Sequence, residues 1–260
     1  VTAEENGPRG VLVTGASKGI GRAVALAFAE RGDRVAVHYG SDADAARRTL
    51  AELPGSGHLL VQGDLSEPEG AQAVADRAEE GLDGVRVLVN NAAVGTTLDN
   101  AHPVPETSYS DWQRAWQTSF AVNVFGAANL TYCVTRHMIA AAAGGRVVNV
   151  GSRGAFRGEP DHPAYGAGKA ALHALGQSLA LSLAPHGIAV TSVAPGFTAT
   201  ERVAGRLAGA AGEALRAQSP FGRVGSADEI AEAVLYLASG PAEWASGAIL
   251  DLNGASHFRT

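Results

Sequence analysis

Gly10-Val-Leu-Val-Thr14-Gly15-Ala16-Ser17-Lys18-Gly19-Ile20-Gly21, running on into Arg22-Ala-Val-Ala-Leu-Ala-Phe-Ala-Glu30, is the stretch that decides the fold. Gly10 to Thr14 is a short apolar run closed by glycine, which is how a strand buried on both faces of a parallel sheet reads. Arg22 to Glu30 has helical composition and a recurring apolar face. Strand, glycine turn and helix make the first half of a βαβ unit. Glycines there let the backbone come close to a pyrophosphate, and the helix start offers free N–H groups and a positive dipole end. A tight turn that binds nothing could use the same residues. The strand before it and the helix after it favour a nucleotide.

Outward from that unit, strand and helix patterns alternate along the chain. Further strands are expected at Arg34 to Tyr39, His58 to Gln62, Val85 to Asn90, Arg146 to Gly151, Ala189 to Val193 and Ala248 to Leu252, all rich in Val, Ile or Leu. Helices are expected at Ile20 to Arg31, Ala43 to Leu53, Pro68 to Gly81, a long one from about Ser110 to Ala142, Ala164 to Leu183 and Ala227 to Ala238. This alternation predicts an α/β, doubly wound parallel seven-stranded sheet of Rossmann type with helices on both faces. No linker divides the 260 residues, so a flexible tail over 1–9 and one domain over 10–256 are expected.

A second group of residues carries chemistry. In Tyr165-Gly-Ala-Gly-Lys169 the phenol and the ammonium stand at i and i+4, which puts both on one helix face, about 6 Å apart along the axis. A fixed ammonium favours the phenolate and brings proton exchange towards working pH. By itself such a pair also fits a half-buried ring beside a solvated cation. Ser152, at the end of an expected strand, adds a hydroxyl. Gly15, Asp64, Asn91, Ser152 and Pro195 all fall at the carboxyl ends of strands, where open α/β sheets collect ligands.

With Gly15, Gly19 and Gly21 the turn reads T-G-x-x-x-G-x-G, and the chain resembles the short-chain dehydrogenase/reductase family from about Gly10 to Ala255. Asp64-Leu65, Asn90-Asn91-Ala92-Ala93, Asn123, Ser152, Tyr165, Lys169 and Pro195-Gly196 follow in the family's order. One departure stands at Ala93, where the family usually has glycine. The resemblance implies a catalytic set of Asn123, Ser152, Tyr165 and Lys169, with the tyrosine as general acid to a carbonyl and Asn123 helping to hold a water beside the lysine. Without the resemblance Asn123 reads as a helix–helix hydrogen bond, and Asp64 as a helix cap. The resemblance gives Asp64 to the adenine amino group. It also implies a cofactor cradle of Gly15, Ser17, Lys18, Gly19, Ile20, Gly21, Leu65, Asn91, Ala92, Ala93, Tyr165 and Lys169, with Pro195, Gly196, Phe197 and Thr198 covering the nicotinamide.

Strand Arg34 to Tyr39 ends Val37-His38-Tyr39-Gly40-Ser41 with no carboxylate where an NAD-binding member usually places one. Lys18 adds a positive charge in the turn. NADP(H) is therefore expected over NAD(H), with Lys18 and Ser41 on the 2′-phosphate and Tyr39 near the adenine; Lys18 as a solvated turn residue is the alternative. The 3-oxoacyl carrier-protein reductase branch is the closest in look, through Val35-Ala-Val-His-Tyr and Gly247-Ala-Ile-Leu-Asp-Leu-Asn-Gly254. Its basic docking surface for an acidic acyl carrier protein is thin here, with Arg136, Arg153 and Arg157 as partial compensation. The long loop Val94 to Ser108 points to a dedicated small ketone of secondary metabolism or to general carbonyl reduction, so the expected substrate is a 3-oxoacyl thioester or a small or polyketide-type ketone. His162 is read either as a substrate contact or as a surface-turn histidine. Catalytic idleness, with NADP(H) binding as a sensor or interaction protein, is the alternative function, though such a protein would be free to lose the phenol or the lysine.

Composition narrows the classes. A net charge of -6 offers no basic stripe for nucleic acid. No apolar run approaches the ~20 residues that span a bilayer, and Val1 to Arg9 lacks a signal-peptide apolar core, so a cytoplasmic protein is expected. The single Cys133 reads as a buried thiol, and no metal-ligand spacing is present. Family habit implies a homo-oligomer, tetramer or dimer.

Overall fold

Strands buried on both faces need apolar side chains at every position, and each apolar run identified above becomes a strand of one parallel sheet. The computed structural model describes residues 7–201 and 203–259; residues 1–6 of the expected flexible tail lie outside them. Strands run in chain order β1 (Gly10–Val13), β2 (Arg34–Tyr39), β3 (Leu59–Gln62), β4 (Val87–Asn90), β5 (Gly145–Val150), β6 (Ile188–Pro195), the two-residue β7 (Thr198–Ala199) and β8 (Gly225–Ser226), and β9 (Ile249–Leu252). The seven-stranded sheet has the order β3-β2-β1-β4-β5-β6-β9, while β7 and β8 pair separately. Every pairing is parallel, with Val11 beside both Val35 and Val87 at the centre.

The helices are α1 (Gly19–Glu30), α2 (Ala43–Glu52), α3 (Pro68–Leu82), α4 (Tyr109–Phe120), α5 (Ala127–Ala140), α6 (Gly154–Arg157), α7 (Pro163–Leu183), α8 (Gly209–Arg216) and α9 (Ala227–Leu237). The pleat sorts the strand side chains into two cores. Val11, Val13, Val35, Val37, Val87 and Val89 face Phe28 of α1 and Ile230 and Val234 of α9. Leu12, Ala36, Leu88 and Val147 face Val74 of α3, Leu130 and Met138 of α5 and Leu183 of α7. This two-sided burial is the main favourable term of the fold.

Three features differ from expectation. The single helix expected over Ser110 to Ala142 is interrupted by a π-helical segment, Ala121–Gly126, between α4 and α5. Gly126 explains part of it: a Cβ there would lie 2.4 Å from the carbonyl oxygen of Leu65, so only glycine lets this segment meet the Asp64-Leu65 turn. Short helices α6 and α8 were not anticipated. Arg9, assigned to the tail, is fixed to Asp33 by an ion pair of 2.7 Å, and its Nη1 donates to the carbonyl of Ala238 at 2.8 Å.

The sheet order reverses between β1 and β4: the chain builds outward through β2 and β3, then returns. Loops leaving β1 and β4 diverge there, opening a crevice beyond the carboxyl ends of the strands.

Candidate active site

The glycine turn follows β1 into α1. Gly15 and Gly19 have φ of +62° and +58°, a left-handed backbone that suits glycine. Gly21 is buried in α1, where a Cβ would come within 2.3 Å of the Gly15 carbonyl oxygen and 2.4 Å of Asn91 Nδ2. It shapes the turn without lining the crevice. The start of α1 has no side-chain cap and no acidic residue in its first turn, so its N–H groups are free for an anion.

Cross-bracing holds this turn in place. Thr14 Oγ1 accepts the N–H groups of Asn91 and Ala92 at 2.8 and 2.9 Å and donates to the Val89 carbonyl at 3.1 Å. Asn91 Nδ2 donates to the carbonyls of Thr14 and Gly15 at 2.8 and 3.2 Å. His38, buried on β2, accepts the Gly15 N–H on Nδ1 at 3.1 Å and faces the Gly63 carbonyl with Nε2, also at 3.1 Å. That pattern requires a neutral ring protonated on Nε2, and burial pushes the His38 pKa down to about 4.

A cavity of about 570 Å³ spans the crevice. Its walls include Gly15, Ser17, Lys18, Gly19, Ile20, Ser41, Asp64, Leu65, Asn91, Ala92, Ala93, Ser152, Tyr165, Lys169, Pro195, Gly196, Phe197 and Thr198, so most of the sequence-derived positions meet in one place. Ala93 carries no strain, because the positive-φ non-glycine residues among those described are Asp83, Ala142 and Ala255. Asp64 lines the wall and also closes its own turn, accepting from Ser66 N–H at 2.9 Å and Ser66 Oγ at 2.8 Å; these bonds hold its carboxyl below the usual range.

Two expected residues point elsewhere. Tyr39 packs on the core beside Val35 and Val37, because alternate residues of β2 share a face; His38 and Gly40 take the cavity side instead. Asn123 is 1% exposed in the π-helical segment and does not line the cavity. Its Oδ1 accepts the Val94 N–H at 2.7 Å, and its Nδ2 donates to the Val94 carbonyl at 3.1 Å and Ser119 Oγ at 3.2 Å. It fixes the wall segment that follows Ala93.

The polar trio is assembled from β5 and α7. Ser152 follows the end of β5, and its Oγ accepts the Gly154 N–H at 3.0 Å. Lys169 is buried, donates Nζ to the Val150 carbonyl at 2.7 Å, and stands 5.9 Å from the Tyr165 ring centroid. His173, one turn further along α7, stacks on Phe156 at 5.2 Å, and burial pushes its pKa down to about 4.

Loop 94–108 is tied to the start of α7. His102 N–H donates to the Asp161 carbonyl at 2.8 Å, and His102 Nε2 accepts the Ala164 N–H at 3.2 Å. His162 is buried, meets the Thr97 carbonyl at 2.8 Å through Nε2, and lines the cavity; it is no surface-turn residue. Sequence reasoning also passed over Asp42. It caps α2 through the Ala45 N–H at 3.0 Å and pairs with Lys18 at 3.3 Å. The Ser41-Asp42 pair directly ahead of α2 was the available signal.

The family model described as "Enoyl-(Acyl carrier protein) reductase" matches residues 15–257. The chain belongs to the short-chain dehydrogenase/reductase family. A "Short-chain type dehydrogenase/reductase" of Picea abies is 34% identical over 95% of this chain and 92% of its own length. The "NADPH-dependent aldehyde reductase-like protein, chloroplastic" of Arabidopsis thaliana is also 34% identical, over 95% and 93%. The solved structure titled "Promiscuous Reductase LugOII Catalyzes Keto-reduction at C1 during Lugdunomycin Biosynthesis" superposes with a TM-score of 0.84 at 32% identity, covering 97% of this chain and 99% of that one.

This short-chain dehydrogenase/reductase is thus an oxidoreductase acting on CH–OH or C=O groups, and its family uses NAD or NADP. The uncapped start of α1, the left-handed glycines and the long cavity fit such a dinucleotide. Of the arginines expected to greet a carrier protein, Arg136 and Arg157 are exposed but Arg153 is buried, so it cannot serve at a docking surface. Among the described residues no helix is long and apolar enough to cross a membrane, and no group of His, Cys, Asp or Glu could hold a metal ion.

Proposed function

We propose that this chain reduces a ketone or aldehyde carbonyl to an alcohol using NADPH, with Tyr165 as general acid. The observation that carries the reading is the meeting of Ser152, Tyr165 and Lys169 in the wall of the same cavity as the glycine turn. The Gly15–Gly21 turn, Asp64, Asn91, Lys169 and the Pro195–Thr198 segment would hold NADPH, which would supply the hydride when bound. Ser152 donates a hydrogen bond to the substrate carbonyl oxygen and orients it. Tyr165 gives that oxygen its proton. Lys169 places a fixed positive charge near the phenol and favours the negative charge that develops as the proton leaves. Asn123 acts at one remove, as a positioning residue that holds Val94.

Preference for NADPH is supported by Lys18 and Ser41 in the cavity wall where β2 ends without a carboxylate. Asp42 shares Lys18, and a bound 2′-phosphate would compete for that ammonium. The substrates proposed are 3-oxoacyl thioesters or small and polyketide-type ketones, in the cytoplasm. A homo-oligomer is supported by the exposed Phe125, Tyr132, Leu181 and Trp244, and light scattering tests it. The function is tested by NADPH absorbance with a panel of ketones, aldehydes and oxoacyl thioesters. Tyr165→Phe is expected to lower kcat by at least ~10²–10⁴-fold while NADPH still binds. Unchanged turnover in that variant, or no turnover by the intact chain across the panel despite tight NADPH binding, refutes the reading.

A further inference from the structure

Arg153 is unusual among the arginines of this chain. It is 4% exposed, deeper than any other arginine among the described residues. Arg223 and Arg259 have carboxylate partners, Glu229 at 2.6 Å and Asp251 at 2.7 Å, while the nearby, exposed Arg157 shares Gln218 Oε1 at 2.9 Å. Arg153 has neutral ones. Its Nη1 donates to Ser256 Oγ and its Nη2 to Gln218 Oε1, the latter at 2.7 Å. A guanidinium carries five N–H donors in a rigid fork, so these bonds leave most of the fork unused. Burial, and after it the charge of Arg157, works against the Arg153 cation, while Glu159 works for it. A buried charge whose opposite charge offsets only part of the cost of burial stays costly, and an anion brought alongside relieves it.

The position of the fork gives such an anion a use. Arg153 directly follows Ser152 in the reaction-cavity wall, but the partners of its fork, Gln218 and Ser256, line a second cavity of about 260 Å³ with Leu215, Phe221 and Asn253, so an anion on the fork lies on that side of Ser152. Phe197 belongs to both walls, and its ring centroid lies 5.1 Å from the Arg153 guanidinium carbon. Contact with that ring and the bonds to Gln218 and Ser256 hold the fork in place. A flat, fixed, under-used guanidinium matches a carboxylate, which takes two parallel N–H bonds.

We propose that Arg153 anchors a carboxylate of the substrate, so that the compounds reduced are oxo-carboxylic acids. This rests on the carbonyl-reductase reading for its use, but the binding it asserts can be measured without turnover. Calorimetric titrations of the complex with NADP+ would use pyruvate, levulinate and 4-oxocyclohexanecarboxylate, each against its primary amide. At least one acid is expected to bind about 10- to 100-fold more tightly than its amide, the range for hydrogen bonds between charged groups. Arg153→Gln should remove that preference. Gln218→Glu provides a second route that keeps the arginine: it sets a carboxylate against the fork, and the preference should fall about 10-fold or more with the melting temperature maintained. An arginine that merely braces Gln218 and Ser256 would leave the acid-to-amide ratio unmoved in Gln218→Glu. The proposal is overturned if no acid is favoured over its amide, or if the preference survives both variants. Acid binding without NADPH oxidation would sustain the anchor and sink the reductase reading; reduction of amides and acids alike would do the reverse.

Discussion

His38 makes cofactor-site order depend on pH, and His38→Asn should expose the dependence. In the folded chain burial pushes this imidazole from its ordinary 6.5 down to about 4, and both ring nitrogens are engaged, by Gly15 N–H and the Gly63 carbonyl. Between those pH values the unfolded chain holds more protons than the folded one, so stability rises with pH. The contribution is full above about pH 6.5 and is lost as pH falls towards about 4. At 1.36 kcal/mol per pH unit, the loss from His38 by about pH 4.5 is about 2.5 kcal/mol. Asparagine has no such titration but can still accept the Gly15 N–H. At about pH 7.5 the variant should be less stable by about 1–3 kcal/mol, through the unmade bond to Gly63. Near pH 4.5 the gap should close or invert. Urea denaturation of both proteins across this range gives the difference directly, and His173, also near 4, cancels because both retain it. Parallel stability curves for the two proteins would refute the assignment of His38 as a buried neutral ring.

Lys18→Ala should raise KM for NADPH about 10-fold and leave KM for NADH nearly unchanged, since only the former carries a 2′-phosphate; equal effects on both would remove Lys18 from the phosphate site. Asn123→Ala strips the Val94 N–H of its partner and should cost about 1–3 kcal/mol in chemical denaturation, with faster proteolytic cleavage in loop 94–108. Phe28→Ala empties a fully buried position between α1 and the sheet and should cost about 3–5 kcal/mol by the same method.

The strands were legible because parallel strands buried on both faces must be apolar throughout, and the runs at Val11, Val35, Val87 and Val147 are short, rich in Val and set between helical patterns. The π-helical break at Ala121–Gly126 was not, because its residues continue the apolar pattern of α4 and α5. Its cause lies in contacts distant in sequence: Gly126 against Leu65, and Asn123 reaching Val94. Tyr39 was misplaced although the signal existed, since Val35, Val37 and Tyr39 share the parity of one pleat face. The trio Ser152, Tyr165 and Lys169 was readable from spacing and strand ends. The burial of Arg153 was not, because arginine after a strand end normally reaches solvent, and only its contacts with Phe197, Gln218 and Ser256, distant in sequence, remove that option.

Thr14 has a consequence for ligand capture. With one hydroxyl it joins β1 to Asn91, Ala92 and Val89, so the two central strands are stapled at the point where their loops part. The entropy of arranging the phosphate cradle is therefore lost when the chain folds and not again when a dinucleotide arrives. A loosened variant such as Thr14→Val would have to order the cradle at each encounter, and its slower capture would measure how much readiness a single methyl-for-hydroxyl exchange removes.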